Sequence, residues 1–162
     1  MKRVYSIERL CLGCHLCMVG CATAHSKTGD IVKAFKWEDE EPVSRIHVEG
    51  DNLDSIAVQC RHCDDPQCVA ACITHAMSKD PETGIVTCDA NRCIGCLTCV
   101  VACPFGCIEP GGVVLKCDHC TTRTSGPEGV PACVEICPNQ ALVYIDLDDD
   151  TEQARAVERE VR

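Results

Sequence analysis

The run from Cys93 to Pro104 constrains the fold of this chain more than any other feature. It reads Cys-x2-Cys-x2-Cys-x3-Cys-Pro, in which three thiolates two residues apart enclose one [4Fe–4S] cluster and the fourth reaches a neighbouring cluster. A second copy runs from Cys11 to Cys21, and stretched variants run from Cys60 to Cys72 and from Cys117 to Pro138. The four motifs use sixteen of the 18 cysteines, which predicts four [4Fe–4S] clusters.

The order of the motifs predicts how the ligands are shared. The second and third motifs are adjacent and can exchange their last cysteines, which leaves the first and fourth to pair around them. Spacing alone leaves open a pairing of the first motif with the second. The predicted sets are Cys11, Cys14, Cys17 and Cys137 for cluster 1; Cys117, Cys120, Cys133 and Cys21 for cluster 2; Cys60, Cys63, Cys68 and Cys103 for cluster 3; and Cys93, Cys96, Cys99 and Cys72 for cluster 4.

This pairing predicts an α+β fold of two nested bacterial-ferredoxin-like modules, rich in loops, with short hairpins and short helices around the clusters. Turn residues between alternating segments place one hairpin in each of the three intervals between motifs, the first of which is the long cysteine-free interval. The predicted segments are a tetracluster domain at 1–145, an inner module at about 54–109, an outer module at about 1–30 plus 110–145, an insertion with a hairpin at 31–53 and a helical tail at 146–162.

Two cysteines lie outside the motifs and are predicted not to bind iron. Counted from the last cysteine of its motif, Cys107 takes the place that Ala76 and Ala141 take in two others. Cys88 lies five residues before a motif, where the first motif has Ser6. Both therefore replace small residues, and a free cysteine in such a place behaves as a small hydrophobic side chain.

The histidines beside the motifs are predicted not to be ligands. His62 and His119 occupy matching places between the first two cysteines of their motifs, and His15 follows Cys14. Because four cysteines already serve each site, we expect these side chains to make contacts outside the ligand shell or to lie on the surface.

Two features outside the motifs bear on partners. Trp37 stands in an acidic stretch, and we expect it to cover the back of a small core, with a docking role as the alternative. In the tail, Ala154, Val157 and Val161 form a thin apolar stripe, with Asp150 as a fair N-cap. Our hypothesis is that this stripe docks on a partner or a second copy, with a frayed, solvated end as the alternative.

Composition excludes several classes of protein. A net charge of −10 argues against nucleic acid as a partner. It favours docking to a redox protein that carries a basic surface patch. Aromatic residues make up 3% of the chain, so we expect the clusters to fill its interior and the apoprotein not to fold stably. We expect no transmembrane segment and, because the N-terminus lacks the apolar run of a secretory signal, a reducing cytoplasm.

With the motifs placed, residues 3–145 resemble the four-cluster iron–sulfur subunits of the dimethyl-sulfoxide-reductase type. The resemblance is carried by Cys93–Ile–Gly–Cys96, Cys103–Pro–Phe–Gly106, Cys60–Arg–His–Cys63–x4–Cys68–Val–x2–Cys72 and Lys116–Cys117–Asp–x–Cys120–x12–Cys133–Val–x2–Cys137–Pro138. In that family the first motif shares clusters with the fourth and the second with the third, which supports the nested pairing. The chain departs from the family pattern by lacking two prolines, after Cys21 and Cys72, and by adding Cys88 and Cys107.

The resemblance implies a relay subunit without catalysis of its own. Its electrons would come from a catalytic subunit of tungsten or molybdenum aldehyde oxidoreductase, carbon monoxide dehydrogenase, hydrogenase or formate dehydrogenase, enzymes of anaerobic metabolism. They would pass to a ferredoxin, flavoprotein, hydrogenase or membrane partner. We favour the tungsten enzyme, because a free tail helix suits self-association into a longer wire. Two other functions are alternatives to the relay subunit. One is a zinc-binding structural module, since Cys-x2-Cys pairs also bind zinc, and the other is an iron–sulfur redox sensor.

Overall fold

The strands of this chain are short and pair two by two. The computed structural model describes residues 2–51, 54–125, 129–146, 148 and 152–161. The strands are β1 (Arg3–Ser6), β2 (Ile46–Asp51), β3 (Asp54–Gln59), β4 (Met77–Lys79), β5 (Val86–Cys88), β6 (Ile108–Glu109), β7 (Leu115–Lys116) and β8 (Leu142–Ile145). They form four two-stranded sheets, which pair β1 with β8, β2 with β3, β4 with β5 and β6 with β7.

The helices are also short. They are α1 (Leu16–Ala24), α2 (Ile31–Lys36), α3 (Gln67–Ala70), α4 (Thr98–Ala102), α5 (Thr121–Thr124), α6 (Ala132–Glu135) and α7 (Glu152–Val161). Among the described residues no sheet closes into a barrel, and the predicted α+β class with short hairpins and short helices is confirmed.

Local turn chemistry explains why the hairpins form where the sequence predicts them. Between β4 and β5, the Asp80 carboxylate accepts hydrogen bonds from the backbone N–H groups of Glu82 and Thr83 at 2.7 and 3.0 Å. This is the side-chain-to-backbone bond that makes aspartate a turn residue. It also lowers the pKa of Asp80, because the N–H groups stabilise the charged carboxylate.

The first and last strands of the domain pair antiparallel. Arg3 lies opposite Ile145, and Ser6 lies opposite Leu142. Val4 and Leu142 are buried in the same apolar core. This sheet therefore brings the two ends of the predicted domain together.

Contacts divide the chain into two compact units. The outer unit contains Met1–Val58 and His119–Arg162, and the inner unit contains Gln59–Asp118. Each unit has its own apolar core, around Ile46 and Leu142 in the outer unit and around Met77 and Val86 in the inner one. The units describe packing, whereas the boundaries of the cluster-binding modules stay a prediction.

The predicted insertion, 31–53, contains a helix and β2, whereas β3, the second strand of this hairpin, begins just after it at Asp54. The helix α2 begins where the Asp30 side chain accepts hydrogen bonds from the N–H groups of Val32 and Lys33 at 3.0 and 2.9 Å. Trp37, at its end, leaves 64% of its side chain exposed. The expectation that Trp37 covers the back of a core is therefore wrong, because only Ala34 of this helix is buried.

The tail helix α7 uses its apolar stripe within the chain. Ala154 and Val157 are 1% and 3% exposed, and α7 packs against β1. The expectation that these side chains dock on a partner or a second copy is wrong, because the chain itself already buries them. The alternative of a solvated end is wrong for the same reason. The predicted N-cap, Asp150, and the side chain of Val161 lie outside the described residues.

Val157→Asp is expected to lower the free energy of unfolding of the iron-loaded protein by about 3 kcal/mol, because it places a carboxylate among apolar neighbours. Ala156→Asp is the matched control, since Ala156 lies exposed on the same helix. Thermal unfolding followed by far-ultraviolet circular dichroism measures both. Equal melting temperatures for the two variants would show that α7 adds no stability by packing.

None of the helices that the structure describes is long and apolar enough to cross a membrane.

Candidate metal centres

The four motifs share a backbone geometry that bends each Cys-x2-Cys segment into a loop. The residue just before the second cysteine has a positive φ in every motif: 61° at Gly13, 46° at His62, 65° at Gly95 and 57° at His119. Glycine adopts this left-handed conformation without strain, and histidine is one of the side chains enriched in it. The four loops therefore turn alike, although two use glycine and two use histidine.

A short helix follows each loop and contains the third cysteine. Cys17 lies in α1, Cys68 in α3, Cys99 in α4 and Cys133 in α6. All four are buried, whereas Cys14 and Cys96 in the loops are exposed. Each motif thus places its third sulfur in the core, while the exposure of the loop cysteines differs from motif to motif.

In the outer unit, four cysteines from two motifs line one cavity. They are Cys11, Cys14, Cys17 and Cys137, the set predicted for cluster 1. Val48, Ala57 and Leu142 complete its apolar wall. Burial raises the pKa of the Cys17 thiol to about 11, and the nearby sulfurs of Cys14, Cys11 and Cys137 add to this effect. A bound metal group of positive charge would favour the thiolate form of Cys17 at this site.

In the inner unit, two cavities hold the other two complete sets. One is lined by Cys60, Cys63, Cys68, Cys103 and also Cys107. The other is lined by Cys72, Cys93, Cys96, Cys99 and also Cys88. In each cavity one cysteine of the predicted set comes from the other motif.

The set predicted for cluster 2 is partly described within the outer unit. Cys21 and Cys133 belong to one buried core, where α1 packs against α6. His25 links Cys21 to Cys120: its Nδ1 lies 3.7 Å from the Cys21 sulfur, and a ring nitrogen lies within 4.8 Å of the Cys120 sulfur. Cys117 belongs to the inner unit, and its place in this set stays a prediction.

Backbone N–H groups point at the sulfurs of the last cysteines. The Arg45 N–H lies 3.3 Å from the Cys21 sulfur. The Met77 N–H lies 3.4 Å from the Cys72 sulfur, and the Ala141 N–H lies 3.3 Å from the Cys137 sulfur. Against the opposing effect of burial, such bonds lower the pKa of Cys21 and of Cys72, with added hydrogen bonds from His25 and Thr74. Hydrogen bonds to sulfur are one of the determinants of cluster potential.

The donor set and the cavities fit an iron–sulfur cluster. Four cysteine sulfurs are the ligands of [4Fe–4S] clusters and of structural zinc sites alike. In each complete set one cysteine is contributed by another motif, and this sharing of ligands between motifs is the pattern of two-cluster ferredoxins.

Comparison with known proteins agrees with this chemistry. Residues 52–147 match the family model described as the 4Fe-4S dicluster domain. This range is more than half of the chain and contains the second, third and fourth motifs. The chain belongs to the 4Fe-4S dicluster domain family.

Curated relatives extend the likeness beyond the matched range. The chain is 38% identical over 143 residues to the putative electron transport protein YsaA of Escherichia coli (strain K12), covering 85% of each protein. It is 39% identical over 137 residues to the putative oxidoreductase UacF of the same strain, which covers 84% of this chain but 20% of that protein. It is 38% identical over 157 residues to the NADH-dependent phenylglyoxylate dehydrogenase subunit beta of Aromatoleum evansii, with 90% and 31% covered. This chain thus spans a small part of two longer relatives.

Two of the three histidines beside the motifs do not lie on the surface, which was one of the two positions expected for them. His62 and His119 are 0% and 1% exposed, so the expectation of a surface position is wrong for both. His62 Nδ1 accepts a hydrogen bond from the Val86 N–H at 2.9 Å, which places its own proton on Nε2. The His119 ring meets the Tyr144 ring edge to face at 5.9 Å. His15 is exposed.

The two extra cysteines lie where small residues were expected. Cys107 is 4% exposed, close to the 2% and 3% of Ala76 and Ala141 at the matching places, so its alanine-like burial is confirmed. Burial, followed by the charge of nearby Cys103, raises the pKa of the Cys107 thiol to about 12. Burial and Cys93 raise that of Cys88 to about 11. Their absence from the ligand shell stays a prediction.

Sequence reasoning gave no role to one buried side chain of the inner unit. Lys116 is 5% exposed, and it entered the argument only as part of the pattern that carries the resemblance. The available signal was the position of Lys116 between Leu115 and a motif cysteine. A lysine buried at such a position indicates a charged or polar partner, because lysine is almost never buried without one.

Proposed function

We propose that this chain is an electron-transfer subunit that carries four [4Fe–4S] clusters and no substrate chemistry of its own. The observation that supports it best is that three separate cavities are each lined by a full predicted set of four cysteines. The family membership and the relatives named as electron transport proteins agree with such a role. The name of the family model includes two clusters, and the count of four rests on the sixteen motif cysteines.

The cysteines would hold the clusters in the sets predicted from the motif order. A bound [4Fe–4S] cluster accepts and releases one electron without breaking a covalent bond in a substrate. The chain supplies thiolate ligands, N–H groups directed at sulfur, and apolar walls that limit the access of water. Thr98 adds a hydroxyl 3.4 Å from the Cys96 sulfur, which lowers the pKa of this exposed cysteine.

The partners we propose are a catalytic oxidoreductase subunit and a second redox protein. One relative is named as the beta subunit of a dehydrogenase, which supports assembly with a catalytic subunit. The resemblance to the dimethyl-sulfoxide-reductase type adds the aldehyde, carbon monoxide, hydrogen and formate enzymes as candidates, with a ferredoxin, flavoprotein or hydrogenase as the second partner. A net charge of −10 suits docking to basic surfaces, and we place the complex in the reducing cytoplasm. The tail no longer supports a longer wire made by self-association, because its apolar side chains are buried.

Anaerobically isolated protein is expected to be brown, with a broad absorption near ~400 nm and about 16 iron atoms and 16 sulfides per chain. Elemental analysis measures the iron, and a reductive titration followed by electron paramagnetic resonance counts the electrons taken up, about four per chain. A colourless protein containing zinc would contradict the proposal and favour the zinc-binding module. About eight irons would reduce the proposal to a two-cluster carrier.

Co-purification identifies the catalytic partner. Metal analysis of the purified complex for tungsten, molybdenum and nickel narrows the set of candidate enzymes. Recovery of the chain without any oxidoreductase subunit at physiological salt would count against the proposed assembly.

A further inference from the structure

We propose that the Lys116 ammonium group is the internal countercharge of the cluster site formed by Cys60, Cys63, Cys68 and Cys103, and that it raises the reduction potential of the cluster bound there. This inference rests on the proposed function. It adds a charged residue to a site whose ligands are all cysteines.

Lys116 is a buried cation of the inner unit without a carboxylate beside it. Its Nζ donates hydrogen bonds to the Cys117 carbonyl at 2.7 Å and to the Val86 carbonyl. Among the described residues it forms no ion pair, whereas Lys79 of the same unit lies 3.7 Å from Asp64. Two carbonyls satisfy two of the three ammonium donors but leave the full positive charge without a counterion. A buried charge of this kind is costly unless an opposite charge lies nearby.

The cysteine-lined cavity of the inner unit is a source of negative charge beside Lys116. Val86, which accepts the hydrogen bond from Lys116, lines that cavity together with Cys60 and Cys68. A [4Fe–4S] core bound by four thiolates carries a charge of about −2 when oxidised and gains one more on reduction.

Val86 fixes the position of the ammonium group. Its backbone is held on both sides, because its N–H donates to His62 Nδ1 and its carbonyl accepts from Lys116. His62 is part of the Cys60–Arg–His–Cys63 loop, so a continuous set of hydrogen bonds connects the ligand loop to the cation. His62 receives a hydrogen bond at Nδ1 and is therefore neutral, which leaves Lys116 as the charged member of this set.

The effect on potential follows from electrostatics. A fixed positive charge in a low-dielectric interior stabilises the reduced cluster more than the oxidised one, because the reduced cluster is more negative. The oxidised-to-reduced ratio of this site therefore depends on Lys116.

Three variants at this position test the proposal: Lys116→Gln, Lys116→Met and Lys116→Arg. Glutamine keeps a donor without the charge, methionine keeps only the stem, and arginine keeps the charge. Potentiometric titrations followed by electron paramagnetic resonance resolve the midpoint of each cluster in protein with a full iron content. Lys79→Gln is the matched control, because it removes the same charge from a lysine that is paired with Asp64.

We expect Lys116→Gln and Lys116→Met to lower one midpoint by at least about tenfold in the oxidised-to-reduced ratio, which is 59 mV for a one-electron couple. Lys116→Arg and Lys79→Gln should leave all four midpoints within a third of that shift. Loss of about four irons in the neutral variants but not in Lys116→Arg would also support the proposal, since the charge would then be needed to retain the cluster.

Two results would overturn the proposal. One is unchanged midpoints in Lys116→Gln at full iron content. The other is loss of iron from all three variants alike, which would assign Lys116 a packing role. Neither result bears on the proposed function itself, which the iron content and electron count of the unaltered protein decide separately.

Discussion

Replacing Cys96 and Cys99 together with alanine is expected to remove about four of about 16 iron atoms per chain and to leave the other sites loaded. The two side chains supply half of the sulfur ligands predicted for cluster 4. With two thiolates left, the site cannot retain the cluster. Iron and acid-labile sulfide, measured on anaerobically purified protein, give the result directly.

The chain contains its own control for this experiment. Cys88 lines the same cavity as Cys96 and Cys99 but is predicted not to be a ligand. Cys88→Ala should therefore keep about 16 irons. In the other inner cavity, Cys107→Ala is the same control for the replacement of Cys60 and Cys63. Equal iron loss from a control and from its ligand pair would show that the ligands have been assigned wrongly.

The same approach tests which motifs share clusters. Cys72 ends the second motif, yet it lines the cavity of the third-motif cysteines. Cys72→Ala is therefore expected to change the same cluster signal in the electron paramagnetic resonance spectrum as a replacement of Cys96. It should leave unchanged the signal that a replacement of Cys60 alters. The opposite pattern would favour sites that each take all four ligands from one motif.

Removing iron from the native protein is expected to abolish its cooperative thermal transition. In each of the two apolar cores, three of the buried residues are cysteines, and none of the five aromatic side chains is fully buried. Without the clusters, each core would enclose a cavity lined by sulfur. The packing that remains around such a cavity does not offset the conformational entropy lost on folding. The free energy of metal binding is therefore a large part of the free energy of folding.

Circular dichroism and calorimetry measure this effect after anaerobic treatment with a chelator, and a sample incubated without chelator is the control. Addition of ferrous iron and sulfide under reducing conditions should restore the transition. An apoprotein that still melts cooperatively within a few degrees of the loaded protein would show that the polypeptide alone specifies the fold.

Much of the fold follows from local chemistry and could be predicted. The hairpins form at turns such as Asp80–Gly84, where a side chain bonds to the backbone two and three residues on. The alanine-like burial of Cys107 followed from counting positions along repeated motifs. These features depend on neighbours in sequence, or on a repeat that copies the same neighbours.

The features that could not be predicted depend on distant partners. His62 is buried because the Val86 N–H, 24 residues away, bonds to its ring. Lys116 is buried because the Val86 carbonyl accepts its ammonium, 30 residues away. The apolar stripe of the tail was expected to dock on a partner or a second copy, because nothing in its sequence shows that α7 packs on β1. Trp37 was expected to be covered, but its short helix buries only Ala34.

The pairing of β1 with β8 has a consequence for synthesis on the ribosome. The inner unit is one uninterrupted stretch, Gln59–Asp118, and can close as soon as that stretch has emerged. The outer unit needs Leu142–Ile145 to pair with Arg3–Ser6, so it can close only after the second of these strands has also emerged. Domains generally fold as units during synthesis, and this topology allows the inner unit to close before the outer one. We therefore expect the sites of the inner unit to be loaded with iron and sulfide first.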